Sequence, residues 1–109
     1  MTSDTIFILG GTSEAYGLAK QLVGAARFQH FRVLTSLSGA TSNPRRPAGE
    51  LRFGGFGGAD GLVGFLQQKN ITLLVDATHP FAEQISRNAR DASRKANVPL
   101  LRLERPSWT

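Results

Sequence analysis

The chain has no cysteine, and only one methionine, one tryptophan and one tyrosine among 109 residues. Without cysteine there is neither a disulfide framework nor a thiolate metal site. The histidines and acids never cluster at metal-ligand spacing, so no metal is expected. No apolar run approaches the ~20 residues that a membrane span requires. The N-terminus also lacks the basic, apolar and small-residue succession of a signal peptide. A cytoplasmic protein without a membrane partner is the simplest account. Acids are scarce as well: eight Asp and Glu stand against thirteen Lys and Arg, for a formal net charge of +5. That excess favours anionic partners such as a phosphorylated cofactor or a polycarboxylate. The basic residues form no dense run and few aromatics are interleaved with them, so nucleic acid is not the expected partner.

What is present suits one folded domain. Apolar residues make up 40% and charged residues 19%, and the length allows a single modest core. The chain is organised around Ile6-Phe7-Ile8-Leu9-Gly10-Gly11-Thr12-Ser13-Glu14-Ala15. Four apolar residues run into two glycines, two hydroxyls, an acid and a small residue. This reads as a buried strand, a tight turn and the first turn of a helix. Such a turn brings backbone N–H groups to a helix N-terminus, where the helix dipole favours an anion. The nearest template is the dinucleotide fingerprint G-x-G-x-x-G/A. Gly10 and Ala15 fit its outer positions, but Thr12 stands where the second glycine belongs. A turn that only lets helix and strand pack closely is the alternative.

Further along, Ala15, Leu18, Ala19, Leu22 and Val23 form one apolar stripe of a helix. Thr12 or Ser13 is its expected N-cap and Gly24 its stop. His30 lies in an apolar connection and is read as structural. Arg32 to Thr35 is a short second strand running into Ser36-Leu37-Ser38-Gly39-Ala40-Thr41-Ser42, a hydroxyl-rich loop. No acid follows that strand. An Asp or Glu there would bond a ribose 2′-hydroxyl and repel a 2′-phosphate. Ser36, Ser38 and a nearby arginine therefore favour NADP over NAD.

Glu50 to Phe53 is expected as the third strand. After it comes Gly54-Gly55-Phe56-Gly57-Gly58, four glycines around one aromatic. Glycine is entropically costly on folding, so this cluster needs positive-φ geometry or a closely approaching ligand. Phe56 either stacks on a flat ligand or plugs the core. Asp60 is expected to cap the next helix, whose Leu62, Val63, Phe65 and Leu66 face inward. Ile71 to Asp76 is a near-continuous apolar run, as in a central parallel strand. It ends in Ala77-Thr78-His79-Pro80-Phe81-Ala82, with Pro80 expected as the first residue of a helix. Along that helix Phe81, Ile85, Ala89, Ala92 and Ala96 share one side. Arg87, Arg90, Arg94 and Lys95 form a solvated face, and Asp91 is placed to pair with Arg87 and Lys95. Leu100 to Leu103 is the fifth strand.

Alternating strands and helices with short connections predict an α/β fold, a doubly wound parallel sheet of Rossmann-like type. The expected strand order is 3-2-1-4-5, with a flavodoxin-like 2-1-3-4-5 as the alternative. Either order lines the loops after Leu9, Thr35, Phe53 and Asp76 along one edge as a ligand cleft. A receiver-type regulator fits poorly, because the first strand lacks an acidic pair at its end.

The Gly10–Ala15 turn, Thr35-Ser36-Leu37-Ser38-Gly39, Pro47-Ala48-Gly49-Glu50, the Gly54–Gly58 cluster, Asp76-Ala77-Thr78-His79-Pro80-Phe81-Ala82 and Leu101-Arg102-Leu103-Glu104-Arg105-Pro106 together resemble the precorrin-6A reductases of cobalamin biosynthesis. The motifs fall in the family's order over nearly the whole chain. One departure is Ala40, where many relatives carry an arginine; Arg45 or Arg46 would have to take its place.

The resemblance implies two Rossmann-like domains with cofactor and macrocycle meeting between them. Residues 1–109 would be the first, NADP-binding domain, and the second would lie outside this chain. It implies hydride transfer from NADPH to precorrin-6A, an anionic tetrapyrrole, giving precorrin-6B. A related branch reduces the cobalt-containing substrate with NADH. Gly10, Gly11, Thr12, Ser13 and Glu14 would then hold the pyrophosphate, while Thr35, Ser36 and Ser38 border the adenosine ribose. Gly54, Gly55, Phe56, Gly57 and Gly58 would pass near the ribose or nicotinamide. Thr78 and His79 would lie near the nicotinamide and macrocycle. His79 is the candidate proton donor, with a structural role at its own helix terminus as the alternative. A nucleotide-binding module without turnover is the competing function. The sequence does not specify an oligomeric state.

Overall fold

A computed structural model of the chain describes residues 4–37 and 46–103. The apolar and β-branched runs become five strands: β1 (Asp4–Leu9), β2 (Phe31–Leu37), β3 (Glu50–Phe53), β4 (Ile71–Asp76) and β5 (Leu100–Arg102). All neighbouring strands pair in parallel, in the order β3-β2-β1-β4-β5. This is the expected Rossmann-like order, and it excludes the flavodoxin-like alternative. Three helices connect the strands: α1 (Ser13–Gly24), α2 (Gly58–Gln68) and α3 (Glu83–Ala96).

Strand alternation divides the core between the two faces of the sheet. Phe7, Leu9, Leu34 and Leu74 point to the side where Leu62 and Leu66 of α2 and Ala89 and Ala92 of α3 pack. Ile6, Ile8, Val33 and Val75 point to the other, against Ala15 and Ala19 of α1. The central strands are thus covered on both sides, which is why β1 reads as a continuous apolar run. Phe7 and Ile8 are wholly buried, each gaining about 1.5–3 kcal/mol from leaving water.

Several local expectations give way to the tertiary structure. Strand β2 continues through Ser36 to Leu37, because β1 pairs with it as far as Ser36 and β3 as far as Leu37. Asp60 is not an N-cap. Gly57, at φ 81°, takes that position, and Asp60 pairs instead with Lys95 of α3 at 3.4 Å. Asp91 bonds Arg94 at 2.8 Å rather than Arg87 or Lys95. His30 is exposed, and β5 stops at Arg102. Pro80 does not open a helix either. It sits in a turn closed by the Ala82 N–H donating to the His79 carbonyl at 2.9 Å, and α3 begins only at Glu83. Phe81 is accordingly 86% exposed and Ile85 42% exposed. The buried residues of α3 are Ala89 and Ala92.

One glycine that sequence reading passes over has a steric role. A Cβ on Gly61, inside α2, would lie 1.6 Å from the Phe56 carbonyl oxygen. At Gly64, one turn on, a Cβ would meet nothing within 4 Å. Gly61→Ala should therefore destabilise the fold by about 1–3 kcal/mol, the range for forcing atoms into a packed site. Gly64→Ala should instead stabilise it by up to about 1 kcal/mol through helix propensity. Urea unfolding of the two variants followed by circular dichroism checks the opposite signs.

Candidate functional site

The loops that follow the strands gather along the carboxyl edge of the sheet. The order reverses between β1 and β4, which places the topological switch point between the Gly10 and Ala77 loops. The Gly10 N–H donates to the Ser36 carbonyl at 2.9 Å. A Cβ on Gly10 would come within 2.8 Å of the Thr35 methyl, so this glycine lets β1 and β2 approach. Gly11 differs: its φ is +107°, and a Cβ there would enter open space. Thr12 is the N-cap of α1 and accepts from the Ala15 N–H at 3.2 Å. Its own hydrogen goes to the Ala77 carbonyl at 2.6 Å. The Thr12 hydroxyl thereby ties the two switch-point loops together. Ser13 is exposed and Glu14 half-buried in the first turn, where helix N–H groups have no intrahelical acceptor.

Thr35 and Ser36 are brought beside this turn, but as buried strand residues. The Thr35 hydroxyl has no hydrogen-bond partner among the described residues. The Ser36 hydroxyl accepts from Arg52 Nη1 at 3.0 Å. Ser38 lies outside the described residues.

Arg52 also organises the glycine cluster, a role sequence reading missed. Nη1 donates to the Gly54 carbonyl at 2.9 Å and Nη2 to that of Gly55 at 3.2 Å. Its guanidinium carbon lies 4.1 Å from the centre of the Phe56 ring, a cation–π geometry. Burial lowers the Arg52 pKa below its ordinary value, yet an arginine remains charged. Gly54, Gly57 and Gly58 all have positive φ with open space at the Cβ position, so backbone geometry requires them. Gly55 is exposed, and Gly58 is already the first residue of α2. Phe56 turns inward, with its ring centre 5.8 Å from that of Phe7 and 5.3 Å from that of Phe65. Of its two possible uses, the ring takes the core.

At the end of β4 the site is electrostatic. Asp76 is buried, and its Oδ1 accepts from the Thr78 N–H at 3.1 Å and the Thr78 hydroxyl at 2.6 Å. Arg102 Nη1 reaches the same oxygen at 2.9 Å. Burial pushes the Asp76 carboxyl up, but hydrogen bonds from Ser86 and Thr78 and the charge of Arg102 outweigh it. The net result is a pKa below the ordinary value. Thr78 is thus buried and committed. His79 is exposed, and its Nδ1 accepts from the Phe81 N–H at 3.2 Å. In the neutral ring this leaves the proton on Nε2. Between α3 and the ends of β4 and β5 lies a cavity of about 530 Å³, with Asp76, Glu83, Ser86, Arg87, Arg90 and Arg102 among its walls. A lone acid ending a buried strand needs a cation, a signal that sequence reading left unused and that would have called for a partner without naming Arg102. No group of three or more His, Asp or Glu among the described residues is placed to hold a metal.

Residues 5–109 match the family described as Precorrin-6x reductase CbiJ/CobK. The chain belongs to that family. It is 50% identical over 108 residues to a Sinorhizobium protein named precorrin-6A reductase, covering 99% of this chain and 40% of that relative. A solved structure named CobK precorrin-6A reductase superposes with a TM-score of 0.90 at 40% identity, covering 97% of this chain and 41% of the other. A Priestia megaterium relative named cobalt-precorrin-6A reductase is 33% identical over 102 residues, covering 94% of this chain and 39% of its own length. The chain therefore spans about 40% of the length of the relatives it matches.

The Asp76 network gives a test of the rim. Asp76→Asn should cost about 2–3 kcal/mol, below the figure for a fully buried pair because Arg102 keeps 29% exposure. The sign with pH follows from the lowered folded pKa. The contribution is present above the unfolded value of about 4 and is lost as pH falls through the lower folded value. Urea midpoints measured from neutral to acid pH should converge for the native chain and Asp76→Asn at the acid end.

Proposed function

We propose that this chain is the cofactor-binding part of a precorrin-6A reductase that uses NADPH to reduce precorrin-6A to precorrin-6B. The remaining length found in its relatives would supply a second domain that completes the substrate cleft. The observation that carries this reading is the open turn from Gly10 to Glu14 at the switch point, tied to the Ala77 loop through Thr12. A pyrophosphate laid there meets first-turn N–H groups and the positive end of α1. Gly11, with positive φ and open space beside it, lets a phosphate approach the backbone. The Thr12 hydroxyl holds the wall rather than the ligand.

NADPH rather than NADH is favoured by the end of β2. No acid stands there, and Ser36 with the Arg52 guanidinium occupies that corner. An acid at this position would bond a 2′-hydroxyl, whereas a cation and a hydroxyl suit a 2′-phosphate. When bound, the dihydronicotinamide supplies the hydride, and the protein orients the reactants. Reduction of the double bond also consumes one proton. His79 stays the candidate donor through Nε2, since Nδ1 is engaged by the Phe81 N–H. The higher identity to a relative named for the metal-free substrate than to one named for the cobalt substrate favours precorrin-6A. A second reading, cofactor binding without turnover by this chain alone, is favoured by its spanning about 40% of its relatives.

NADPH should raise the thermal midpoint of the chain more than NADH does; equal shifts would overturn the 2′-phosphate argument. Ser13→Glu adds an acid to the start of α1, which helps the helix by up to about 1 kcal/mol while repelling a phosphate. That variant should be at least as stable as the native chain and bind NADPH about tenfold or more weakly. Undiminished binding would remove the opening turn from the site.

A further inference from the structure

The 530 Å³ cavity beside α3 is separate from the cofactor wall, since Gly10 to Glu14 contribute nothing to it. Its charge is uneven. Glu83, Ser86, Arg87 and Arg90 recur at spacings of three and four along α3 and so share one face of that helix. Opposite them stands Arg102 on β5, hydrogen-bonded through Nη1 to the Asp76 carbonyl and the Thr78 hydroxyl at 3.3 Å each. The Asp76 carboxylate neutralises Arg102 at 2.9 Å. The side chains of Arg87 and Arg90 have no hydrogen bond or ion pair among the described residues. The acids that might have served them are engaged elsewhere, Asp91 with Arg94 and Asp60 with Lys95. Glu83 is the other anion on the wall, so the cavity carries about one net positive charge. Leu100 and Pro80 add apolar surface. Two guanidinium groups three residues apart, with no partner among the described residues and with Leu100 and Pro80 in the same wall, suit an anionic group borne on a hydrophobic framework. Arginine forks bind carboxylate and phosphate alike.

We propose that this cavity is a carboxylate subsite, in which Arg87 and Arg90 grip a peripheral carboxylate of the tetrapyrrole while Asp76 holds Arg102 as the third side of the pocket. The proposal rests on the substrate reading given under Proposed function. It assigns those arginines a binding role where their spacing alone had placed them on a solvated face. Glu83 limits the subsite, because its charge opposes the incoming carboxylate.

The test is a titration of the ¹⁵N-labelled chain with uroporphyrin I, an octacarboxylate, alongside separate titrations with inorganic phosphate and NADPH. Uroporphyrin should shift the amides of Ser86–Arg90 and Leu100–Arg102 most. Arg87→Gln combined with Arg90→Gln should weaken its binding at least tenfold, while Glu83→Gln tightens it. Arg94→Gln removes the same charge from a residue outside the cavity and should leave the affinity within twofold. NADPH binding should be unchanged in the double variant, which separates this subsite from the cofactor's phosphates. Equal weakening by Arg94→Gln, shifts mapping away from the cavity, or inorganic phosphate competing at the same amides as strongly as the porphyrin would overturn the proposal. A native chain that binds uroporphyrin at these amides but ignores NADPH would sustain the subsite and sink the cofactor reading.

Discussion

A carboxylate buried at the end of a central strand must be neutralised, and the way Asp76 is neutralised sets the geometry of the carboxyl edge. Its partners come from two places, the Thr78 N–H and hydroxyl from the next loop and Arg102 from β5, while the Ser86 hydroxyl of α3 lies 3.5 Å from that of Thr78. Leaving such a charge unpaired would cost several kcal/mol, so strand, loop and edge strand are locked in one arrangement. The 530 Å³ cavity is a consequence. With Arg102 held by Asp76, one wall is fixed, and α3 presents its arginines across from it.

The same economy runs through the other loops. Thr12 donates to Ala77 and caps α1, Arg52 holds the glycine cluster by its carbonyls, and His79 accepts from its own turn. Each is a polar group that composition alone would assign to a ligand. In the fold they hold the loops that a ligand meets. The backbone at Gly11 faces open space, and the side chains of Arg87 and Arg90 have no partner among the described residues. Loops tied down by such bonds need less ordering when a ligand binds.

Much of the architecture was legible because it follows from short-range periodicity. The apolar runs at Ile6 and Ile71 mark strands covered on both faces, and the stripe from Ala15 to Val23 marks a helix. Alternation and right-handed crossovers left two strand orders, and the pairing of β1 with β4 decided for 3-2-1-4-5. Boundaries were less legible: Ser36 and Leu37 extend β2 because neighbouring strands pair with them. Pro80 looked like a helix start, yet the turn between His79 and Ala82 delays α3 to Glu83. Phe56 could be read either as a stacking platform or as core, and its packing on Phe7 and Phe65 decided for core.

The opening stretch from Ile6 to Ala15 shows where the division falls. Its strand, its glycine turn and the helix it starts are local matters, governed by residues within a few positions of one another. The use of Thr12 is not. Its hydroxyl meets Ala77, 65 residues away in sequence, just as Arg102 meets the backbone of Asp76 across 26. Hydrogen-bond partners at such separations are chosen by how sheet and helices pack. Local pattern therefore settled the elements, while tertiary contact settled the strand order and which polar groups hold the fold together.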